Sequence, residues 1–66
     1  MKHNKRLKNH LNKAYEHNEK ARLIILKELE RETDDKTISL LVQSKLQTLD
    51  VKFKLKALLE KVDELL

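Results

Sequence analysis

The sequence predicts an all-α protein, and three observations lead to that fold class. Apolar residues recur at helical spacing over most of the chain, glycine and proline are both absent, and one polar stretch interrupts the apolar pattern. Without glycine and proline, tight hairpin turns and most strand boundaries are excluded. We therefore expect a single domain over residues 1–66, built as an antiparallel two-helix hairpin that dimerises into a four-helix bundle.

The first helix is predicted over about residues 5–32. Its apolar positions step by four and three, which places them on one face of a helix. That face carries Leu7, Leu11, Ala14, Asn18, Ala21, Ile25 and Leu29. A polar residue at a core position such as Asn18 can fix the register of packed helices, and the other interpretation is a wet position in a loose hairpin.

The turn is predicted at about residues 33–36, within the polar stretch from Glu30 to Thr37. This stretch supplies several side chains that can accept hydrogen bonds from the free N–H groups of a starting helix, and they are Thr33, Asp34, Asp35 and Thr37. A second helix is therefore expected over about residues 37–65. One long bent helix is the alternative.

The second helix carries two apolar stripes that lie on different sides. The stripe of its first half consists of Ile38, Leu41, Val42, Leu46, Leu49 and Phe53. The C-terminal stripe consists of Val51, Leu55, Leu58, Leu59, Val62, Leu65 and Leu66. The first helix can cover only one stripe, so we expect the other to pack on a second molecule. A third short helix, formed by a break near Asp50, would also explain the change of side.

Because the N-terminal part of the first helix is poor in bulky residues, we assign the intersubunit surface to the C-terminal stripe. The residues proposed for this protein interface are Val51, Leu55, Leu58, Leu59, Val62 and Leu65. The function that follows is that of a small regulatory or adaptor protein, acting through helix-mediated protein binding and self-association.

Nucleic-acid binding is the alternative function. The net charge is +4, and the outer face of the first helix carries a basic row that could follow a phosphate backbone. Its candidate contacts are Lys13, Lys20, Lys27 and Arg31. Bases commonly stack on aromatic side chains, but the only aromatic residues are Tyr15 and Phe53, and Phe53 is expected to be buried.

The inventory of chemical groups argues against an enzyme. Cysteine is absent, and no nucleophile motif or glycine-rich phosphate loop is present. His3, His10 and His17 are seven residues apart, about 10 Å along a helix, which is too far for one metal ion. We interpret them as residues at the boundary of the apolar face, and the alternative is a pH-sensitive interface. We expect no catalytic residue, metal, cofactor or small-molecule substrate.

The longest apolar runs are far shorter than the roughly 18 residues that a membrane span requires. No apolar signal-peptide core follows the basic N-terminus either. We therefore expect a cytoplasmic protein that has no membrane partner.

Two resemblances accompany this interpretation. In length and layout the chain resembles the dimeric RNA-binding hairpins of the Rop type, which implies a four-helix bundle but transfers no functional residue. The segment from Leu46 to Asp50, Leu-Gln-Thr-Leu-Asp, is similar to the Ser-Gln-x-Leu-Asp signature of the sporulation aspartyl-phosphate phosphatases. Leu46 stands where that signature has serine. Neither resemblance assigns the chain to a family.

Overall fold

A computed structural model describes the backbone of residues 2–65 and the side chains of residues 5–64, and it confirms an all-helical hairpin. Helix α1 spans Lys2–Arg31 and helix α2 spans Asp35–Leu65, and the two helices pack against each other. Both helices begin two or three residues earlier than expected. Helix α2 runs without a break through Asp50, so the alternatives of a third short helix and of one long bent helix are wrong.

The connection between the helices is built from polar side chains. The Glu32 carboxylate accepts hydrogen bonds from the backbone amides of Thr33 and Asp34, both at 3.1 Å. Asp34 then caps α2, because its carboxylate accepts from the Thr37 amide at 3.0 Å and from the Thr37 hydroxyl at 2.8 Å. No described residue has a positive φ angle, which explains how this turn forms without glycine.

Partly buried residues define the seam, the line along which α1 and α2 meet. In each helix they alternate in steps of three and four, an average repeat of 3.5 residues that is typical of coiled-coil packing. In α1 the seam residues are Lys8, Leu11, Tyr15, Asn18, Arg22, Ile25 and Leu29. In α2 they are Ile38, Leu41, Lys45, Thr48, Lys52, Leu55, Leu59 and Val62.

The expected apolar face of α1 is partly wrong. Leu7, Ala14 and Ala21 are exposed, whereas Tyr15 and Arg22 occupy the seam beside Leu11 and Asn18. Alanine offers little surface to bury, while tyrosine and arginine lay long apolar stems along a partner helix and keep their polar ends at its edge. Helix α1 is therefore rotated so that its larger side chains face α2.

The hairpin buries little of itself. Among the described side chains only Val62 is buried, with 5% of its surface exposed. The molecule measures 50 × 14 × 12 Å, and its radius of gyration of 15.2 Å exceeds the ~11 Å of a globular domain of this length. Its accessible surface is 5589 Å², about 1,200 Å² more than expected for a compact monomer of 7.9 kDa. A single hairpin therefore leaves much of its surface without a packing partner.

We expect the Asp34 cap to make hairpin stability depend on pH. Hydrogen bonds from the Thr37 amide and then from the Thr37 hydroxyl lower the pKa of the Asp34 carboxyl below its ordinary value. The stabilisation is therefore complete above the unfolded-state pKa, and it is lost as the pH falls through the lower folded-state pKa. Asp34→Ala should lower the thermal midpoint at pH 7 but have little effect at pH 2, as followed by circular dichroism.

Asp34→Asn is the matched control for this cap, because asparagine also caps helices but does not titrate. The thermal midpoint of Asp34→Asn at pH 7 should stay close to that of the unaltered chain. A midpoint for Asp34→Ala equal to that of the unaltered chain at pH 7 would contradict the role of this cap.

Candidate interaction site

A polar layer divides the seam near its middle. Asn18 of α1 donates a hydrogen bond from its side-chain amide to the backbone carbonyl of Thr48 at 2.8 Å. The Thr48 hydroxyl donates to the carbonyl of Lys45 at 2.8 Å. Because the Asn18 bond joins the two helices at one level, it fixes their register, which agrees with one of the two interpretations of this residue.

Charged groups complete the polar layer. The Glu19 carboxylate lies 3.1 Å from Nη1 of Arg22 and 3.7 Å from Nζ of Lys52 on the other helix. The Arg22 side chain is only 18% exposed, and its Nε is buried without a hydrogen-bond partner. An unsatisfied buried donor is costly, so this layer gives the hairpin a defined register at the expense of stability.

A broad apolar surface, here called face A, lies along one side of the hairpin. Each of its residues directly follows a seam residue, and in two antiparallel right-handed helices such positions turn towards the same side. Face A consists of Leu23, Leu26, Val42, Leu46, Leu49 and Phe53. Leu23 is 58% exposed, and Leu46 and Phe53 are each 60% exposed. The expectation that Phe53 is buried is therefore wrong.

The opposite side, face B, is made of residues that directly precede seam residues. Its apolar members are Leu7, Ala14, Ala21, Ile24, Leu40, Val51 and Leu58. All seven are exposed, with Leu40 at 66%, Ile24 at 62% and Leu58 at 47%. Face B is therefore a second exposed apolar surface, in which Ala14 and Ala21 separate Leu7 from Ile24.

The structure divides the C-terminal stripe that was expected to form the protein interface. Leu55, Leu59 and Val62 lie in the seam, where α1 already covers them in part. Val51 and Leu58 lie exposed on face B, and the side chain of Leu65 lies outside the described residues. An intersubunit role for this stripe stays a prediction, and exposure restricts it to Val51 and Leu58 among the described side chains.

The candidate nucleic-acid contacts lie on the outer side of α1. Lys13, Lys20 and Lys27 are exposed and point away from α2, and Arg6, seven residues before Lys13, extends the row. The seven-residue spacing between Arg6 and Lys13 could have been recognised in the sequence. Arg31 is exposed but pairs with Glu28 at 3.4 Å. The row spans about 30 Å of helix.

The remaining candidates offer no built site within the described part of the chain. His10 and His17 are exposed on α1, the side chain of His3 lies outside the described residues, and no described cluster of metal-ligand residues forms. A depression of about 340 Å³ is lined by Lys54, Ala57, Leu58 and Lys61. These four residues share one face of one helix, so the depression lacks an opposing wall.

The segment that resembles the phosphatase signature lies in the middle of α2. Gln47 and Asp50 are exposed, and Asp50 pairs with Lys54 at 2.9 Å. Leu46, which stands in the serine position, belongs to face A. Neither described helix is long and apolar enough to cross a membrane.

We expect Arg22→Met to stabilise the hairpin by about 1 kcal/mol, because it removes the unsatisfied Nε while keeping a long apolar stem in the seam. Asn18→Ala should destabilise it by about 1 kcal/mol, because the substitution deletes the bond that joins the helices. Urea unfolding at one protein concentration measures both changes. A loss of stability in Arg22→Met would show that the Arg22–Glu19–Lys52 group is a net stabilising network.

Comparison with protein-family models, with curated proteins and with solved structures found no match. The exposed faces, the polar layer and the basic row are therefore the features of this chain that bear on its function.

Proposed function

We propose that this protein is a non-enzymatic regulator or adaptor that acts by packing helix faces, beginning with self-association into a four-helix bundle. The observation that carries the proposal is face A, whose residues Leu23, Val42, Leu46 and Phe53 are exposed on a hairpin with almost no buried core. Burying one leucine or phenylalanine contributes about 1.5–3 kcal/mol. Covering face A with a second chain would therefore contribute several such terms.

The surface area of the hairpin supports the same proposal. A stable protein interface buries about 800 Å² per partner. The hairpin exposes about 1,200 Å² more than a compact monomer of its mass, so one interface of ordinary size accounts for most of the excess. Helix-on-helix packing fits the shape as well, because face A occupies about 17 Å on one side of a rod 50 Å long.

Binding to a nucleic-acid backbone is the second candidate function. The observation in its favour is the row of exposed cations on the outer side of α1, formed by Arg6, Lys13, Lys20 and Lys27. Such a row would contact phosphates without reading bases. This function uses a different surface from face A, so the two can be tested independently.

A matched pair of substitutions tests the protein-binding proposal. Leu46→Glu places a charge on face A, and Leu58→Glu places the same charge on face B at a similarly exposed position. Light scattering should give a dimer mass for the unaltered chain and for Leu58→Glu, and a monomer mass for Leu46→Glu. If Leu58→Glu alone gave the monomer, the interface would lie on the C-terminal stripe. A monomeric unaltered chain would contradict self-association.

The same measurement, made with mixed short RNA and DNA at two salt concentrations, tests the second function. Backbone binding would give a heavier complex that dissociates at high salt. Lys13→Gln combined with Lys20→Gln should then weaken that complex and flatten its salt dependence, while leaving the protein's own mass unchanged. If nucleic acid causes no change in mass at low salt, the basic row has no such role.

A further inference from the structure

We infer that face A is occupied by a second copy of this chain, packed so that both turns lie at the same end of the bundle. The inference rests on the proposed self-association and adds the orientation of the two copies. Charged residues beside face A can pair between two copies. On the α1 side they are Lys5, Glu16, Glu19 and Glu30, and on the α2 side they are Lys56, Glu60 and Asp63.

Two symmetric arrangements can join face A to itself. In the same-end arrangement the two-fold axis runs along the bundle, and α1 of one copy lies over α2 of the other. In the opposite-end arrangement the axis is perpendicular to the helices, so α1 lies over α1 and α2 over α2. Apolar residues meet in both arrangements, so the charged residues around them decide between the two.

The contacts within the hairpin show which residues lie at the same level. The long side chains of Glu19 and Lys52 meet at 3.7 Å, and those of Lys8 and Asp63 meet at 2.6 Å, so in each pair the charged ends, and not the Cα atoms, lie at one level. In the same-end arrangement these levels also apply between copies. Leu23 and Leu26 of one copy then lie over Leu46 and the adjacent face A residues on α2 of the second copy.

Opposite charges meet around this apolar centre in the same-end arrangement. Glu16, one turn before Glu19, lies level with Lys56 of the second copy. Lys5, one turn before Lys8, lies close to the level of Asp63 of the second copy. All four residues are exposed on the face A side, and Asp63, which already contacts Lys8 of its own hairpin, can accept Lys5 of the second copy as an additional partner.

The opposite-end arrangement brings like charges together. With the axis through the centre of the strip from Val42 to Phe53, Glu60 of one copy lies over Asp35 of the other. On α1, Glu16 lies over Glu30 of the second copy. Symmetry repeats each of these repulsive pairs, and like charges facing each other disfavour a wrong pairing.

A charge exchange distinguishes the two arrangements by the sign of its effect. In the same-end bundle, Glu16→Lys faces Lys56 and should weaken dimerisation several-fold at low salt, and adding Lys56→Glu should restore it. In the opposite-end bundle, Glu16→Lys would instead relieve the repulsion by Glu30 and strengthen the dimer. Sedimentation equilibrium at low and high salt measures both changes, and high salt should reduce them.

Spin labels at the turn measure the orientation directly, since the chain has no native cysteine to interfere. A nitroxide on Thr33→Cys should give a label separation below about 30 Å if both turns share one end, because neighbouring helices in a bundle lie about 10 Å apart. Turns at opposite ends of this 50 Å hairpin would place the labels about 40 Å or more apart.

Gln47→Cys is the matched control, because residue 47 lies near the middle of the bundle and gives a separation set by bundle width in either arrangement. A dimer with widely separated turn labels would overturn the same-end orientation and leave self-association intact. A single-chain mass by light scattering, with no label coupling at either position, would overturn both.

Discussion

Two helices can cover only one side of each other, and this geometric limit shapes the whole molecule. A two-helix seam is one residue layer thick, so every side chain in it stays near solvent at one edge. Most seam residues here are only partly buried, and Val62 is the one described side chain that is buried. The apolar residues beside the seam have no third element to cover them. Many of them therefore stay exposed in a single hairpin.

The polar layer sets how the two helices meet, and the apolar ends hold them together. Asn18 and Thr48 hold one register, and Glu19 connects Arg22 of its own helix to Lys52 of the other. On either side of this layer, apolar residues close the seam towards the turn and towards the chain ends. Such a division favours a specific arrangement over a strong one. It is consistent with a hairpin that gains stability by assembly.

The hairpin itself could be predicted from the sequence, whereas the rotation of its helices could not. The polar stretch from Glu30 to Thr37 identifies the turn, and the capping preference of aspartate is realised in Asp34. The spacing of apolar residues predicts that Arg22, Lys45 and Lys52 lie on the surface. In a two-helix seam their long stems pack and their charged heads reach the edge, so they displace Ala14 and Ala21 from the expected face. The interface that we propose is therefore face A, whereas the sequence pattern indicated the C-terminal stripe.

The dependence of the thermal midpoint on protein concentration tests most directly whether a second chain completes this fold. If face A is covered by another copy, folding and association are coupled, and the midpoint of a single transition should rise by several degrees over a hundredfold increase in concentration. Circular dichroism of the unaltered chain from micromolar to high micromolar concentration measures it. A midpoint that stays constant over this range, together with a single-chain mass, would show that the hairpin folds alone and would contradict the account.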